Sequence, residues 1–249
     1  WGQRDLARLR RQTHAAFVLI AVCTVVLNAA AFLLLDAMKT LLSVPAEVWP
    51  LMRSYLFVIF FGIGGTFLYN YYASLLRAVG NSLVPLLFLA AAAVLNIALD
   101  LVFVLVCRWG VEGAAAATVL AQWLSGIGTA VYTLVRCPEL RARREERRIT
   151  GAMLRELLSA SVLTCLQQSV MNLGILMVQG RINSFGPVIM AAFAAAVKID
   201  SFAYMPLQDF GNAFSTFIAQ NYGAQQPERI RRGIRTAVLL SSVFAVCVS

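Results

Sequence analysis

The chain has 249 residues, 60% of them hydrophobic and 13% charged, with a formal net charge of +9. Soluble domains carry roughly 25% charged residues, so this composition excludes an ordinary water-soluble fold and calls for lipid as solvent. The chain opens on Trp1 in a charged segment, without the basic lead, short apolar run and cleavage site of a secretory signal.

Seven apolar stretches are long enough for a helix to cross the roughly 20 residues of a hydrocarbon core. They lie near 15–35, 50–73, 84–106, 113–135, 156–179, 188–218 and 234–249. Pro50, Pro85 and Pro187 fall in first turns, where a missing N–H costs nothing, and Pro45, Pro138 and Pro227 fall in loops. Pro206 lies inside a stretch and predicts a kink there. The expected fold is an all-α polytopic membrane protein.

Of the 21 Lys and Arg residues, sixteen sit on alternate loops: 1–14, the loop with Arg77, 136–155 and 220–235. The opposite loops hold only Lys39, Arg53, Arg108 and Arg181, and Lys198 lies within a span. The positive-inside bias then makes loops 1–14, 74–83, 136–155 and 220–233 cytoplasmic, with Trp49 and Trp109 as outer interfacial anchors. The basic charge is thereby a topology signal, and no nucleic-acid partner is called for. Residues 136–155 read as a solvated cytoplasmic linker between 1–135 and 156–249. The five scattered cysteines, Cys23, Cys107, Cys137, Cys165 and Cys247, have no metal-ligand spacing and read as small apolar fillers.

Residues 1–28 laid on 222–249 match at eight of 28 positions, including Gly2/Gly223 and the arginine set Arg8/Arg229, Arg10/Arg231 and Arg11/Arg232. Six spans separate the two segments, so the repeat keeps its orientation, as in transporters whose halves are related by an axis along the membrane normal. Two copies of a 221-residue unit give a protein of roughly 440 residues and 12 spans, and the sequence reads as a fragment of it.

Ionisable groups at a helix centre cost about 2.5–3.5 kcal/mol on insertion scales, so each asks for a reason. Asn96 and Asp100 are four apart on one helix face, and Asp100 lies about 12 Å of helix from Arg108. Their oxygens suit a small cation or a proton; the alternative is a helix–helix hydrogen bond. Thr118, at the end of Gly113–Thr118, is placed to approach that face if the alanines allow close packing. Gln168 and Asn172 form a stripe with Thr164, read as pathway lining or as helix glue. Lys198 and Asp200, two apart, point to different faces, and Tyr204 extends the Asp200 face toward a water-filled cavity or toward further spans. Enzymatic chemistry finds no footing: His14 is the only histidine, and no HExxH, GxSxG or phosphate-cradling loop is present.

LLRAVGNSLVPL (75–86), NIALD (96–100), WGVEGAAAATVLAQ (109–122) and IAQNYGAQQPERIRR (218–232) together resemble the multidrug and toxic compound extrusion (MATE) transporters. The resemblance runs through essentially the whole chain. It implies a MATE-type fold of two six-helix lobes, with the third to the start of the ninth span present, acting as a monomer in the plasma membrane. It implies cation-coupled antiport, Na⁺ or H⁺, exporting small amphipathic or cationic compounds, with no cofactor beyond the coupling ion. Asn96, Asp100 and Thr118 match that family's cation site, whose remaining Asp lies on a first helix absent from the sequence. The seventh helix here offers Gln167, Gln168 and Asn172 in place of the Glu that some members use. The substrate pathway is expected at Gln168, Asn172, Lys198, Asp200 and Tyr204. Flippases of lipid-linked sugars share the fold and are the alternative within transporters; a membrane enzyme or a non-transporting subunit is the alternative outside them.

Overall fold

A computed structural model describes residues 5–37, 49–141, 146, 149–183 and 187–248. The predicted outer-loop residues Lys39 and Pro45 and the linker residue Arg143 lie outside these. The described helices are α1 (Leu6–Leu33), α2 (Trp49–Phe60), α3 (Ile63–Ala78), α4 (Leu83–Asp100), α5 (Gly110–Arg136), α6 (Gly151–Asn183), α7 (Pro187–Gly223) and α8 (Pro227–Val248). A π-helical segment, Leu101–Val106, continues α4, and a 3₁₀ turn, Pro138–Leu140, follows α5.

Each of the seven apolar stretches corresponds to one helical run, with α2 and α3 together making the second. Among the described residues, α1, α4 with its π segment, and α5 are long and apolar enough to cross a membrane, and α2 and α3 are so only if the bent pair is counted as one span. The helices α6 and α7, with 33 and 37 residues, exceed the length a crossing needs but carry more amides and charges. The basic lead-ins are helical from the start: α1 begins at Leu6, where Asp5 caps it by accepting from the Arg8 N–H at 3.0 Å, and α8 begins at Pro227. Those two starts differ by 221 residues, so the sequence repeat and the helix starts are in register.

Two compact units divide the chain at Ile149/Thr150. In the first, α5 is the hub. Its buried residues include Gly113, Ala117, Ala121, Ser125, Thr129 and Thr133, one every four residues and therefore a single stripe of small side chains. Without a hydrophobic drive between helices in lipid, close packing of this kind is what holds spans together. The approach is closest where α3 crosses α5. A Cβ on Gly65 would lie 2.7 Å from the Trp123 nitrogen, and one on Gly126 would meet the Gly65 carbonyl. The stripe's hydroxyls bond back into their own helix, Thr129 to Ser125 O and Thr133 to Thr129 O, both at 2.7 Å, so burial leaves them satisfied. The large apolar side chains of α5 point the other way: Val135 is 69% exposed and Leu124 54%. Small residues inside and large ones outside invert the soluble pattern and suit a lipid surround.

Tyr71 donates to Thr13 O at 2.8 Å, joining α3 to α1, and Tyr69 donates to Pro85 O at 3.2 Å, joining α3 to α4. At the other end of α1, Phe32 meets Phe57 and Phe60 of α2 and Phe61 just beyond it edge-on, with ring centroids 5.2–5.5 Å apart. In the second unit, Phe210, Phe214 and Phe217 stack along α7.

One sequence expectation is revised, and two features of the backbone had no counterpart in it. The marked bend, 43°, falls in the second span between Phe60 and Ile63, where no proline stands, and α7 is helical on both sides of Pro206. Next, the first part of the linker is docked rather than solvated. Leu140 is buried, Arg10 Nε donates to Glu139 O at 2.6 Å, and the Arg10 guanidinium lies 3.5 Å from the Glu146 carboxylate. Residues 138–141 and Glu146 therefore belong with the first unit, fastened by one of the arginines of the repeat. Finally, α4 does not end as a plain α-helix. It widens into the π segment directly after Asp100, closed by Cys107 N–H to Val102 O at 2.9 Å, and the turn that follows holds Arg108 and Gly110 at φ near +60°.

Candidate cation site

Asn96 and Asp100 lie on α4 and Thr118 on α5, the two helices joined by the turn at 107–109. Asn96 Nδ2 donates to Thr118 Oγ1 at 3.3 Å. The Thr118 hydroxyl in turn donates to Ala114 O at 3.0 Å, which orients its lone pairs toward α4. Ala115 and Ala117 are fully buried, and their small size is what lets the two helices come this close. Two of the three predicted residues are thus in direct contact.

Asp100 is half-buried, one turn from Asn96 and at the junction with the π segment. Its Oδ1 is fully buried and has no hydrogen-bond partner among the described residues. A buried carboxylate oxygen without a donor is costly unless a proton or cation reaches it. With Asn96 Oδ1 and Thr118 Oγ1 nearby on the same two helices, the oxygen set is hard and neutral apart from one charge. Single-turn π segments are frequent at functional sites, and here the π geometry begins at the first residue after the carboxylate. No group of three or more His, Cys, Asp and Glu that could hold a metal ion occurs among the described residues.

The predicted pathway residues lie in the second unit. Gln168, Asn172, Lys198 and Asp200 are exposed side chains on α6 and α7. Tyr204 donates to Met171 Sδ at 3.3 Å, placing it beside the Asn172 turn of α6. Thr164, the first member of the predicted stripe, donates to Ala160 O at 3.5 Å.

Three polar groups inside the first unit were not singled out from the sequence. Gln122 is one turn beyond Thr118 on α5, and its Oε1 is fully buried without a partner. Asn28 on α1 donates to Phe60 O at 2.7 Å. Thr66, Asn70 and Ser74, four apart on α3, line a groove against Thr13 and Thr24 of α1, with a volume of about 600 Å³. The same spacing rule that found Asn96 and Asp100 applies to Thr118/Gln122 and to Thr66/Asn70/Ser74.

The sequence pattern of the MatE family matches residues 1–102 and 160–249. The chain belongs to the MatE family. It is 30% identical over 230 residues to the "Probable multidrug resistance protein YpnP" of Bacillus subtilis, covering 92% of this chain and 51% of that protein. It is 26% identical over 251 residues to the "Probable multidrug resistance protein YoeA" of the same organism, covering 98% and 54%. Among solved structures, a mutant of the Vibrio cholerae MATE transporter VcmN superposes with a TM-score of 0.85 at 22% identity, covering 98% of this chain and 58% of that one. The chain thus spans about half the length of the curated relatives it matches and shares the all-α multi-pass fold of the solved transporters.

Proposed function

We propose that this chain is part of a cation-coupled exporter, working by alternating access in the plasma membrane on small amphipathic or cationic compounds. The observation that carries the reading is the buried, unpartnered Asp100 oxygen one turn from the Asn96–Thr118 pair, within a chain of the MatE family. Asp100 supplies the exchangeable charge, and Asn96 and Thr118 supply neutral oxygens. The coupling ion, Na⁺ or H⁺, is taken up when the site faces the side of higher electrochemical potential and released on the other side. A ligand shifts the conformational equilibrium only by its differential affinity for the two states, so ion and substrate need to prefer opposite ones. The exposed Lys198, Asp200, Tyr204, Gln168 and Asn172 would line the substrate's path in the second unit, and the protein would act as a monomer.

The test is export of a fluorescent cation by the full-length protein in liposomes under an imposed Na⁺ or H⁺ gradient. Gradient-driven export is the expected result, and its absence under both gradients would overturn the reading. In the same assay Asn96→Ala removes one neutral partner. Ion affinity should then fall about two- to tenfold, the range of a neutral hydrogen bond. An unchanged ion dependence would remove Asn96 from the site.

The proposed sidedness has its own check. A cysteine at Arg231 should be labelled by an impermeant reagent from the cytoplasmic side, and one at Arg181 from the outside. Both reacting from one side would overturn the orientation, since α7 alone lies between them.

A further inference from the structure

We propose that the break between α2 and α3 is a two-position hinge, and that Asn28 and Trp123 are the positioning residues that hold it bent. Its purpose rests on the transport reading above; its existence does not.

In a straight helix the carbonyls of Phe60 and Phe61 would accept from the backbone N–H groups of Gly64 and Gly65, four residues on. Here they accept from side chains of neighbouring helices: Asn28 Nδ2 of α1 reaches Phe60 O at 2.7 Å, and Trp123 Nε1 of α5 reaches Phe61 O at 2.9 Å. The backbone crosses the break on tight turns, Phe61 N–H to Val58 O at 3.1 Å and Gly62 N–H to Ile59 O at 2.9 Å. The ordinary ladder resumes at Thr66 N–H to Gly62 O, 3.0 Å. A carbonyl released from a helix inside hydrocarbon has no water to turn to, so a kink persists only where such donors are supplied. Both carbonyls therefore have a partner in the bent form and a different partner in a straight one, the condition for two states of similar energy.

Two further features narrow the gap. Residues 62, 64 and 65 are glycines, with no Cβ to resist backbone rotation. The Gln122 amide oxygen also occupies the space a side chain at position 62 would fill, and it is buried there without a donor. A buried acceptor left unsatisfied disfavours the bent form, offsetting part of what Asn28 and Trp123 contribute to it. The moving arm is α2. From Leu51 to the break is about ten residues, or about 15 Å of helix, so swinging through the 43° bend carries its end about 10 Å.

Spin labels on cysteines replacing Leu51 and Val111, in the full-length protein freed of its native cysteines and reconstituted in liposomes, read this swing as a distance distribution. Two populations differing by up to about 10 Å are expected, their ratio moving with the Na⁺ or H⁺ gradient. Trp123→Phe keeps the ring and removes the donor, and Asn28→Leu keeps the size and removes the donor. Each should shift the ratio toward the straight form by about fivefold, the worth of one hydrogen bond. A single distance, unchanged in both variants and under both gradients, overturns the hinge. So does loss of export in either variant with an unaltered distribution, because the residues would then be plain packing. If the unmodified protein exports no probe cation yet the two populations exchange and respond to Trp123→Phe, the hinge stands and the transport function fails.

Discussion

Asp100→Asn in the full-length protein is expected to abolish gradient-driven export while the protein still inserts and folds. The substitution keeps the shape of the side chain and removes the only charge contributed by the Asn96–Asp100–Thr118 group. Hydrogen bonds and contacts to charged partners are worth about 1.5–3 kcal/mol, so ion affinity at the site should fall by about ten- to a hundredfold. Folding should be spared, because Oδ1 makes no hydrogen bond that the variant would lose, and because a neutral amide is cheaper to bury than a carboxylate. The measurement is export of a fluorescent cation against an imposed Na⁺ or H⁺ gradient, with detergent-extracted protein checked for a monodisperse profile. Export at the unmodified rate under both gradients would make Asp100 a structural residue. Loss of export together with loss of the monodisperse protein would place it in the packing of α4 on α5. Only loss of export with intact protein supports the ion-binding role, and the contrast with Asn96→Ala grades the charged contribution against the neutral one.

Much of this was legible in the chain itself because membrane spans impose strong patterns. A span must be about 20 residues and apolar, so the number and order of helical runs follow from composition alone. The pairing of Asn96 with Thr118 follows from two facts visible in the sequence: a short connection makes α4 and α5 antiparallel neighbours, and a run of alanines lets them touch. The in-register starts of α1 and α8 follow from the arginine repeat. What escaped was local backbone geometry. Neither the 43° break at Phe61–Gly62 nor the π segment after Asp100 has a proline to announce it. The break at Phe61–Gly62 arises from donors on other helices, Asn28 and Trp123, and no reading of one segment at a time exposes them. The docking of Glu139 and Glu146 escaped for the same reason, since it depends on Arg10, more than a hundred residues away.

Gly65→Ala should cost more stability than any other single methyl added to the described glycines of α3, and the reason lies in what the methyl meets. A Cβ there would sit 2.7 Å from the Trp123 nitrogen, 2.8 Å from the Gln122 carbonyl carbon and 2.9 Å from the Trp123 Cα. All three are backbone atoms of the hub helix, so no side chain can turn aside to relieve the clash; α3 and α5 must separate. Separation would loosen the small-residue stripe along α5 and strip dispersion contacts from a packing that has no hydrophobic drive to restore it. Overpacking of a tight core costs about 1–3 kcal/mol, and an obstruction by backbone on both sides belongs at the upper end. Gly174→Ala is the internal control. Nothing lies within 4 Å of its added Cβ, and alanine's better helix propensity should leave it neutral or stabilised by up to about 1 kcal/mol. Thermal unfolding of the full-length protein in detergent compares the two directly. A midpoint for Gly65→Ala equal to that of Gly174→Ala would mean that α3 and α5 are not in backbone contact, and the hub role of α5, on which the Asn96–Thr118 geometry depends, would fall with it.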